Sequence, residues 1–325
     1  MKRFVTCLLV LLMVAAQPLS CFAWGSGGHR IAAIIAWRTM KPETKVKIAQ
    51  MLRKHPRLHD EFQIPQSVSA EGKEAENEWL FAQATIWPDL IRGNKQFDHP
   101  TWHYIDLPLY LTDGDRAVMR EHMTVNLAAT LPQSPENAEL NAVQAIAFAV
   151  QMVKGNSPHA NKAIYLSWIN HLVTDLSQPC HTTALYSRLT FPDPVGDMGG
   201  NSIPVNPEKN LHAYWDGLLG WEIGYDEAQD HASDLLRKFE QQRDQDILEL
   251  NAMKWAEEGF GFAKQYVYCD DILKAAYEKE VGNTQKIETV QLSEQYQKES
   301  SQFAERQVAK AGFRLAALLD QALAD

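Results

Sequence analysis

The most constraining feature of the chain is the segment 171–181, which reads HLVTDLSQPCH. Apolar residues at helical spacing precede it, so His171 and Asp175, four residues apart, are predicted to share one face of a helix. Pro179 breaks the helical pattern and lets His181 turn back toward that face. Such a group could hold two metal ions bridged by Asp175. A surface hydrogen bond between His171 and Asp175 is the alternative, and it is the commoner role of an isolated pair.

Helical spacing of apolar residues recurs along most of the chain. Alternating strand patterns, internal repeats and low-complexity tracts are missing from the sequence. We therefore expect a mainly α, single-domain, multi-helix fold with long irregular loops. Helices are predicted at 28–39, 42–52, 77–92, 136–153, 158–176, 211–221, 226–257, 259–280 and 292–324.

Four stretches between these helices lack helical spacing. Residues 60–76 and 282–291 are polar, and we predict loops, insertions or linkers there. Residues 93–116 are rich in Pro, Asp and aromatic residues and are predicted to be irregular. Residues 187–210 are rich in Pro and Gly, which predicts a long ordered loop or a lid.

Residues 1–23 have the layout of a secretory signal peptide: Lys2 and Arg3, then an apolar core, then a small-x-small cleavage site. Cleavage would leave Trp24 at the N-terminus of a mature domain, 24–325, and would predict a secreted or periplasmic protein. The apolar core is too short for a membrane span, and no later stretch approaches the required length.

The acidic charge of the chain restricts how it could bind phosphates. The net charge of −10 becomes −12 when the two positive charges of Lys2 and Arg3 are removed with the leader. This balance disfavours a nucleic-acid binder that relies on a broad basic surface. If the protein handles phosphate groups, bound cations must supply much of the positive field.

The cysteines leave two questions open. Cys21 near the cleavage site could be lipidated, although the residues before it make a poor lipoprotein signal. Cys180 and Cys269 would remain in the mature chain, and they could pair in an oxidising compartment or stay as buried thiols. A cysteine zinc finger is excluded, because the sequence contains no Cys-x-x-Cys.

Further candidate ligands lie beside aromatic residues or glycines in short patterns. Two separate His-x-x-x-Asp pairs, each on a predicted helix, are less expected by chance than one. The candidates are His29 in WGSGGH, Asp89 and Arg92 in WPDLIR, His103 and Asp106 in WHYID, and His212 and Asp216 in NLHAYWD.

Each of these residues also has an ordinary structural role open to it. The alternatives are a turn for His29, a helix N-cap for Asp89, a hydrogen-bonded core position for His103, an ordinary helix cation for Arg92, and a surface pair for His212 with Asp216.

Taken together, the segments resemble the trinuclear-zinc single-strand nucleases of the fungal extracellular and plant bifunctional type. That family shares its fold and metal site with the zinc-dependent phospholipases C. The resemblance rests on six motifs in the family's order: WGxxGH at 24–29, WPDxxR at 87–92, WHYID at 102–106, HxxxDxxxPxH at 171–181, GDxGGN at 196–201 and NLHxxWD at 210–216.

The resemblance implies three zinc ions. The first would be held by Asp89, His103, His171 and Asp175. The second would use the α-amino group and carbonyl oxygen of Trp24, together with His29 and the other oxygen of Asp175. The third would be held by His181, His212 and Asp216. These nitrogen and oxygen donors suit zinc.

The implied reaction is hydrolysis of single-stranded RNA or DNA to 5′-phosphate products, with 3′-nucleotidase activity in many relatives. Arg92 resembles the family's phosphate-contacting arginine, and Asp106 looks placed to orient the attacking water or accept its proton. Tyr104 is a candidate neighbour of the base, and Asp197 and Asn201 of the GDxGGN loop are candidates for positioning the substrate site. The resemblance implies no stable protein partner, and we expect a monomer.

Departures from the family pattern are few. Ser177 stands where many relatives have a second histidine, Cys180 replaces a common leucine, and Gly217 after the last motif offers no side chain for a base contact. A zinc phospholipase C acting on lipid headgroups is the nearest alternative. A non-catalytic zinc-binding protein is the second, but it would need neither Arg92 nor Asp106.

Overall fold

The computed structural model describes residues 24–156 and 158–324, so the predicted signal peptide, 1–23, lies outside the described residues. The helices are α1 Ser26–Thr39, α2 Pro42–Leu52, α3 Leu58–Glu61, α4 Gln66–Glu71, α5 Lys73–Leu90, α6 Asp113–Met119, α7 Ala142–Lys154, α8 His159–Asp175, α9 Leu211–Asp216, α10 Tyr225–Phe239, α11 Arg243–Asp246, α12 Ala252–Phe262, α13 Asp270–Glu280 and α14 Glu294–Ala322. The strands are β1 Leu107–Tyr110, β2 Thr183–Tyr186, β3 Val205–Asn206 and β4 Val290–Gln291.

Helix α1 lies at the centre of the helical packing, and every residue from Ile31 to Trp37 is buried. It packs against α14, α5 and α10. Gly312 allows α14 to approach closely, because a Cβ there would lie 2.6 Å from Ile35 Cγ2 and 2.8 Å from the Ala32 carbonyl oxygen. The long apolar run of α1 is therefore enclosed on several sides, as helical spacing with so few polar residues predicts.

Helix α8 is buried between α5, α7 and α14. Every residue from Leu166 to Asp175 is buried, including the polar residues Asn170, His171 and Thr174. Buried polar groups need partners, since an unpaired one costs about 1–3 kcal/mol. The polar side chains of this helix therefore mark a place where the core is built for something other than apolar packing.

The short strands join the WHYID segment to the end of the 171–181 segment. Strand β1 runs parallel to β2, with Leu107 opposite Thr183. Just before this pairing, the Ile105 backbone N–H donates to the His181 carbonyl oxygen at 2.9 Å. Two segments distant in sequence are thereby held side by side.

The mainly helical single-domain prediction is confirmed, and most predicted helices are present to within a few residues. The predicted loop at 60–76 is wrong, because most of it forms α3, α4 and the start of α5. Its polar side chains hold other helices: Glu61 accepts from Trp87 Nε1, Glu74 accepts from Trp37 Nε1 at 2.9 Å, and Glu76 pairs with Arg53.

The single helix predicted at 226–257 is also wrong. The segment contains α10, α11 and the start of α12, and the Asn251 side chain caps α12 by accepting from Met253 N and Lys254 N. The single helix predicted at 259–280 is wrong as well, because that range holds the end of α12, the π-helical turn Ala263–Val267 and α13. The 93–116 segment contains β1 and part of α6 beside irregular chain. The loop predictions at 187–210 and 282–291 are confirmed, except that their ends pair as β3 and β4.

The structure answers two questions that the sequence raised, on cysteine pairing and on membrane-spanning helices. Cys180 is buried and Cys269 is partly exposed, and neither is disulfide-bonded within the described part of the chain. No helix among residues 24–156 and 158–324 is long and apolar enough to cross a membrane.

The N-terminal segment docks on the turn that follows α9. Gly25 N donates to the Asp216 carbonyl oxygen at 2.7 Å, and Ser26 N donates to the Trp221 carbonyl oxygen at 2.9 Å. A Cβ at Gly27 would meet the carbonyl oxygens of Leu219 and Gly220. This close approach of two backbone segments requires glycine at position 27.

We expect Gly27→Ala to lower the free energy of unfolding by about 1–3 kcal/mol. The added methyl group would meet backbone carbonyl oxygens, which cannot move aside as a flexible side chain could. Gly261→Ala is the matched control, because a Cβ there meets nothing within 4 Å. It should stabilise α12 by about 0.5–1 kcal/mol. Urea unfolding of the two variants measures both effects, and equal stabilities would contradict the close approach.

His55 should make the fold acid-sensitive. It is buried against Phe62 and Trp87, and burial lowers its pKa to about 4. The unfolded value is about 6.5, so the folded state binds fewer protons, and stability that is present above pH 6.5 is lost as the pH falls toward 4. The free energy of unfolding is expected to fall by about 3 kcal/mol in total.

Urea unfolding of the wild type and His55→Leu between pH 8 and pH 4 measures this contribution by difference. The wild type should lose more stability than the variant across that range. Parallel pH dependences for the two proteins would show that His55 does not contribute.

Candidate metal centre

Eight histidine and aspartate side chains from six elements converge at one end of α8, and all are buried except that of Asp89, which is 9% exposed. Each element presents its residue near a terminus or on a face turned inward. The residues are His29 in α1, Asp89 in α5, His103 in the 3₁₀ turn Pro100–His103, His171 and Asp175 in α8, His181 in the 3₁₀ turn Pro179–His181, and His212 and Asp216 in α9.

Asp175 lies at the centre of the group, and its two oxygens face different histidines. Oδ2 lies 3.1 Å from His103 Nδ1 and 3.2 Å from His171 Nε2. Oδ1 lies 3.3 Å from His29 Nε2. His171 and Asp175 share a helix face as predicted, but they are fully buried, so the surface hydrogen-bond alternative is wrong. One carboxylate between two sets of imidazoles has the layout that a bridging ligand requires.

Asp89 closes the same side of the group. Its Oδ1 lies 3.7 Å from His171 Nε2, and its Oδ2 lies 3.9 Å from His29 Nε2. Asp89 is in the last turn of α5, so the N-cap alternative is wrong. The preceding Trp87 contacts His55 and donates to Glu61, which anchors this end of α5.

A second group lies around His181. His181 Nε2 is 3.1 Å from His212 Nε2, and His212 Nε2 is 3.4 Å from Asp216 Oδ2. The Asn210 side chain caps α9 by accepting from Ala213 N at 2.7 Å, which sets the helix that presents His212 and Asp216. Both residues are only 2% exposed, so the surface-pair alternative is wrong.

Backbone carbonyls fix the orientation of three of the histidines. The Nδ1 atoms of His171, His181 and His212 lie 2.8 Å from Thr85 O, 2.6 Å from His103 O and 2.8 Å from Gly199 O, respectively. A carbonyl oxygen only accepts hydrogen bonds, so each Nδ1 carries a proton, and in the neutral form of each ring the Nε2 lone pair faces inward. Metal-ligating histidines are typically held in this way.

The second group then places two lone pairs face to face. His181 Nε2 and His212 Nε2 are both acceptors in these tautomers, and two acceptors at 3.1 Å repel each other. Burial lowers the pKa of His181 well below its usual value, and His212 lowers it further, so a proton is a poor bridge between them. A metal cation between the two nitrogens removes the conflict.

Burial governs protonation in the first group as well. It lowers the pKa values of His29 and His103 well below the ordinary range, and neighbouring histidines and Arg92 lower them further. Burial also opposes the charging of His171, but Asp175 and Asp89 outweigh it and raise its pKa. Burial raises the pKa of Asp175 to about 6.

The donor set fits divalent cations. Within the described chain, both ring nitrogens of His29, His103 Nε2 and Asp175 Oδ1 are buried without a hydrogen-bond partner. Three sets of atoms lie close enough to share an ion: His29, Asp89 and His171; His103, His171 and Asp175; and His181, His212 and Asp216. Buried imidazoles and carboxylates in such sets are zinc-type ligands.

The predicted N-terminal residue contacts the chain just after α8, and the residue that follows it contacts the end of α9. Trp24 is fully buried, and its Nε1 donates to Ser177 Oγ at 2.9 Å, just past the end of α8. The next residue, Gly25, bonds to the Asp216 carbonyl oxygen. Ser177, a departure from the family pattern, therefore anchors the side chain of Trp24.

Arg92 and Asp106 flank the centre. Arg92 Nη2 lies 3.1 Å from Asp89 Oδ1. Asp106 is buried, and this burial, with the charge of Asp197, raises the pKa of Asp106 to about 7. Tyr104 is half-buried, and its carbonyl oxygen accepts from Ala142 N at 3.0 Å.

The GDxGGN loop supports the second group from outside. Asp197 is fully buried: its Oδ1 accepts from Leu185 N at 2.8 Å and its Oδ2 from Tyr268 Oη at 2.9 Å. Asn201 Nδ2 donates to the Met198 carbonyl oxygen at 2.9 Å. These contacts hold the loop whose Gly199 carbonyl orients His212.

Sequence reasoning missed the groups that orient the ligands. The carbonyls of Thr85, His103 and Gly199 are backbone atoms and have no signal in a pattern of side chains. Gln178 is different, because it lies inside the 171–181 segment and donates to Asp216 Oδ1 at 2.8 Å. Its position within that segment, next to Pro179, is the sequence signal that could have identified Gln178.

Comparison with known proteins supports one family. A search of curated proteins found no match. The family model described as S1/P1 Nuclease matches residues 24–324, which is nearly the whole chain and all of the elements that build the centre. The chain therefore belongs to the S1/P1 nuclease family, whose members hydrolyse phosphodiester bonds.

Proposed function

We propose that the protein is a zinc-dependent endonuclease that hydrolyses single-stranded RNA and DNA to 5′-phosphate products, with 3′-nucleotidase activity as a further reaction of the same site. The observation that carries the proposal is the pair of inward-facing imidazole nitrogens of His181 and His212 beside the carboxylate-centred group at Asp175. Such a centre has little use in a purely structural core, because burying several imidazoles and carboxylates together is costly.

Three zinc ions would occupy the centre. Asp89, His103, His171 and Asp175 would hold the first, and His181, His212 and Asp216 the third. The second would be held by His29, by Asp175 and by the amino group and carbonyl oxygen of Trp24, after removal of residues 1–23. The burial of Trp24 and its bond to Ser177 support this placement.

Bound zinc would lower the pKa of a water molecule and neutralise charge on the phosphate oxygens. Arg92, next to Asp89, would contact a non-bridging phosphate oxygen and stabilise the charge that develops on it. Asp106, with its pKa of about 7, is suited to accept the proton of the attacking water near neutral pH. Tyr104 would contact the base, while Asp197 and Asn201 would position the loop beside it.

The single-strand preference follows from the depth of the centre. Seven of the eight ligand side chains are buried and that of Asp89 is only 9% exposed, so a phosphate must enter the protein to reach them. A single strand can splay out its base and bring its phosphate inward, which a rigid duplex resists. The net charge of −10 makes the metal ions the main source of attraction for phosphate.

We also infer that the protein acts as a monomer in the extracellular space or the periplasm. The layout of residues 1–23 supports this localisation.

The substrate prediction is tested with the purified mature protein. We expect cleavage of single-stranded RNA or DNA, slow cleavage of duplex, loss of activity in excess chelator and recovery with zinc. Mass spectrometry of the products should show 5′-phosphates. Full activity in excess chelator would refute the metal mechanism, whereas headgroup release from phosphatidylcholine vesicles without nucleolysis would identify a phospholipase C.

The bridging role of Asp175 is tested by metal content. Asp175→Ala should reduce zinc by two ions per chain, because both oxygens of Asp175 face separate ligand sets. His181→Ala should reduce it mainly by one. Elemental analysis of the dialysed proteins measures the two losses, and an equal loss in both variants would argue against a bridge.

A further inference from the structure

We propose that Gln178 is the positioning residue that assembles the third metal site, formed by His181, His212 and Asp216. This inference rests on the proposed zinc centre, and it concerns a residue that lies outside the ligand set. Gln178 is fully buried, and the two ends of its side chain join Asp216 to the turn that carries His181.

The first end holds the turn that carries His181. Gln178 Oε1 accepts from Cys180 N at 2.6 Å and so caps the 3₁₀ turn Pro179–His181. The main chain reinforces this position, because His181 N donates to the Gln178 carbonyl oxygen at 2.9 Å. The location of His181 therefore depends on the conformation of Gln178.

The second end holds Asp216. A backbone N–H can only donate, so the amide oxygen of Gln178 must face Cys180 N, and the amide NH₂ must face the other way. That group donates to Asp216 Oδ1 at 2.8 Å. Asp216 Oδ2 is left facing His212 Nε2 at 3.4 Å, toward the position where a metal ion would lie.

The chemistry of an amide suits this position. It is neutral, so it orients the carboxylate without competing for the cation as a lysine or arginine would. Glutamate has the same shape but would bring a second negative charge to within hydrogen-bond distance of Asp216, and at neutral pH it could not donate. Leucine would remove the hydrogen bonds that Gln178 makes to Asp216 Oδ1 and to Cys180 N. Outer hydrogen bonds to metal ligands typically contribute about 10- to 100-fold in metal affinity.

The same residue also connects the two groups of ligands. Gln178 N donates to the Asp175 carbonyl oxygen at 2.9 Å, so one residue touches the backbone of Asp175 and the side chain of Asp216. The spacing between the Asp175 carboxylate and the third site is therefore set by a single short turn.

The test measures zinc affinity by chelator competition in Gln178→Leu and Gln178→Glu, with Gln144→Leu as the matched control. Gln144 is also a buried amide, but it bonds to Asn141 N and to the Thr130 carbonyl oxygen. We expect both Gln178 variants to bind the third zinc about 10- to 100-fold more weakly and the other two normally. Gln144→Leu should lose stability only.

A double variant identifies the affected site. His181→Ala already removes the third zinc, so adding Gln178→Leu to it should cost no further metal. Circular dichroism of the metal-free proteins shows whether each variant folds, and the isosteric Gln178→Glu keeps the test decisive if Gln178→Leu does not.

Wild-type affinity for all three ions in both Gln178 variants would overturn the inference, as would further metal loss in the double variant. These outcomes differ from a failure of the proposed function, in which the wild-type protein itself would lack zinc or leave single-stranded RNA intact.

Discussion

The burial of the Asp175 carboxylate is the constraint on which the rest of the centre depends. A carboxylate in the middle of a helical core is costly unless charged or hydrogen-bonding groups surround it. Here His103 and His171 face one oxygen and His29 faces the other. The core around α8 is therefore arranged to bring imidazoles to a carboxylate, and the ends of α1 and α5 are placed accordingly.

The ligand side chains are oriented by partners outside the centre. Three backbone carbonyls hold the Nδ1 protons of His171, His181 and His212, and the Gln178 amide holds Asp216. Each partner lies on an element that packing has already fixed. Packing therefore fixes the positions of the candidate ligands, which would lower the entropic cost of binding an ion.

The two kinds of sequence prediction succeeded to different degrees. Apolar spacing located most helices, because the 3.6-residue period is a local property. Apolar spacing gave the wrong prediction for 60–76, because polarity alone does not distinguish a loop from short helices. In those helices Glu61 and Glu74 accept hydrogen bonds from buried tryptophans. Short motifs selected histidines and aspartates that the structure brings together, but they did not show the role of Gln178 or of the Tyr268 hydroxyl that supports Asp197.

The sequence by itself determined the helical class, the family and the set of candidate ligands, because periodicity and motif spacing are encoded over short stretches. Only the tertiary structure decided which imidazole nitrogens face each other and which oxygen of Asp216 faces His212. Those features depend on contacts between residues far apart, such as His181 with His103 and Gln178 with Asp216. Such contacts arise only when the helices pack, since no local pattern records the distance between two segments.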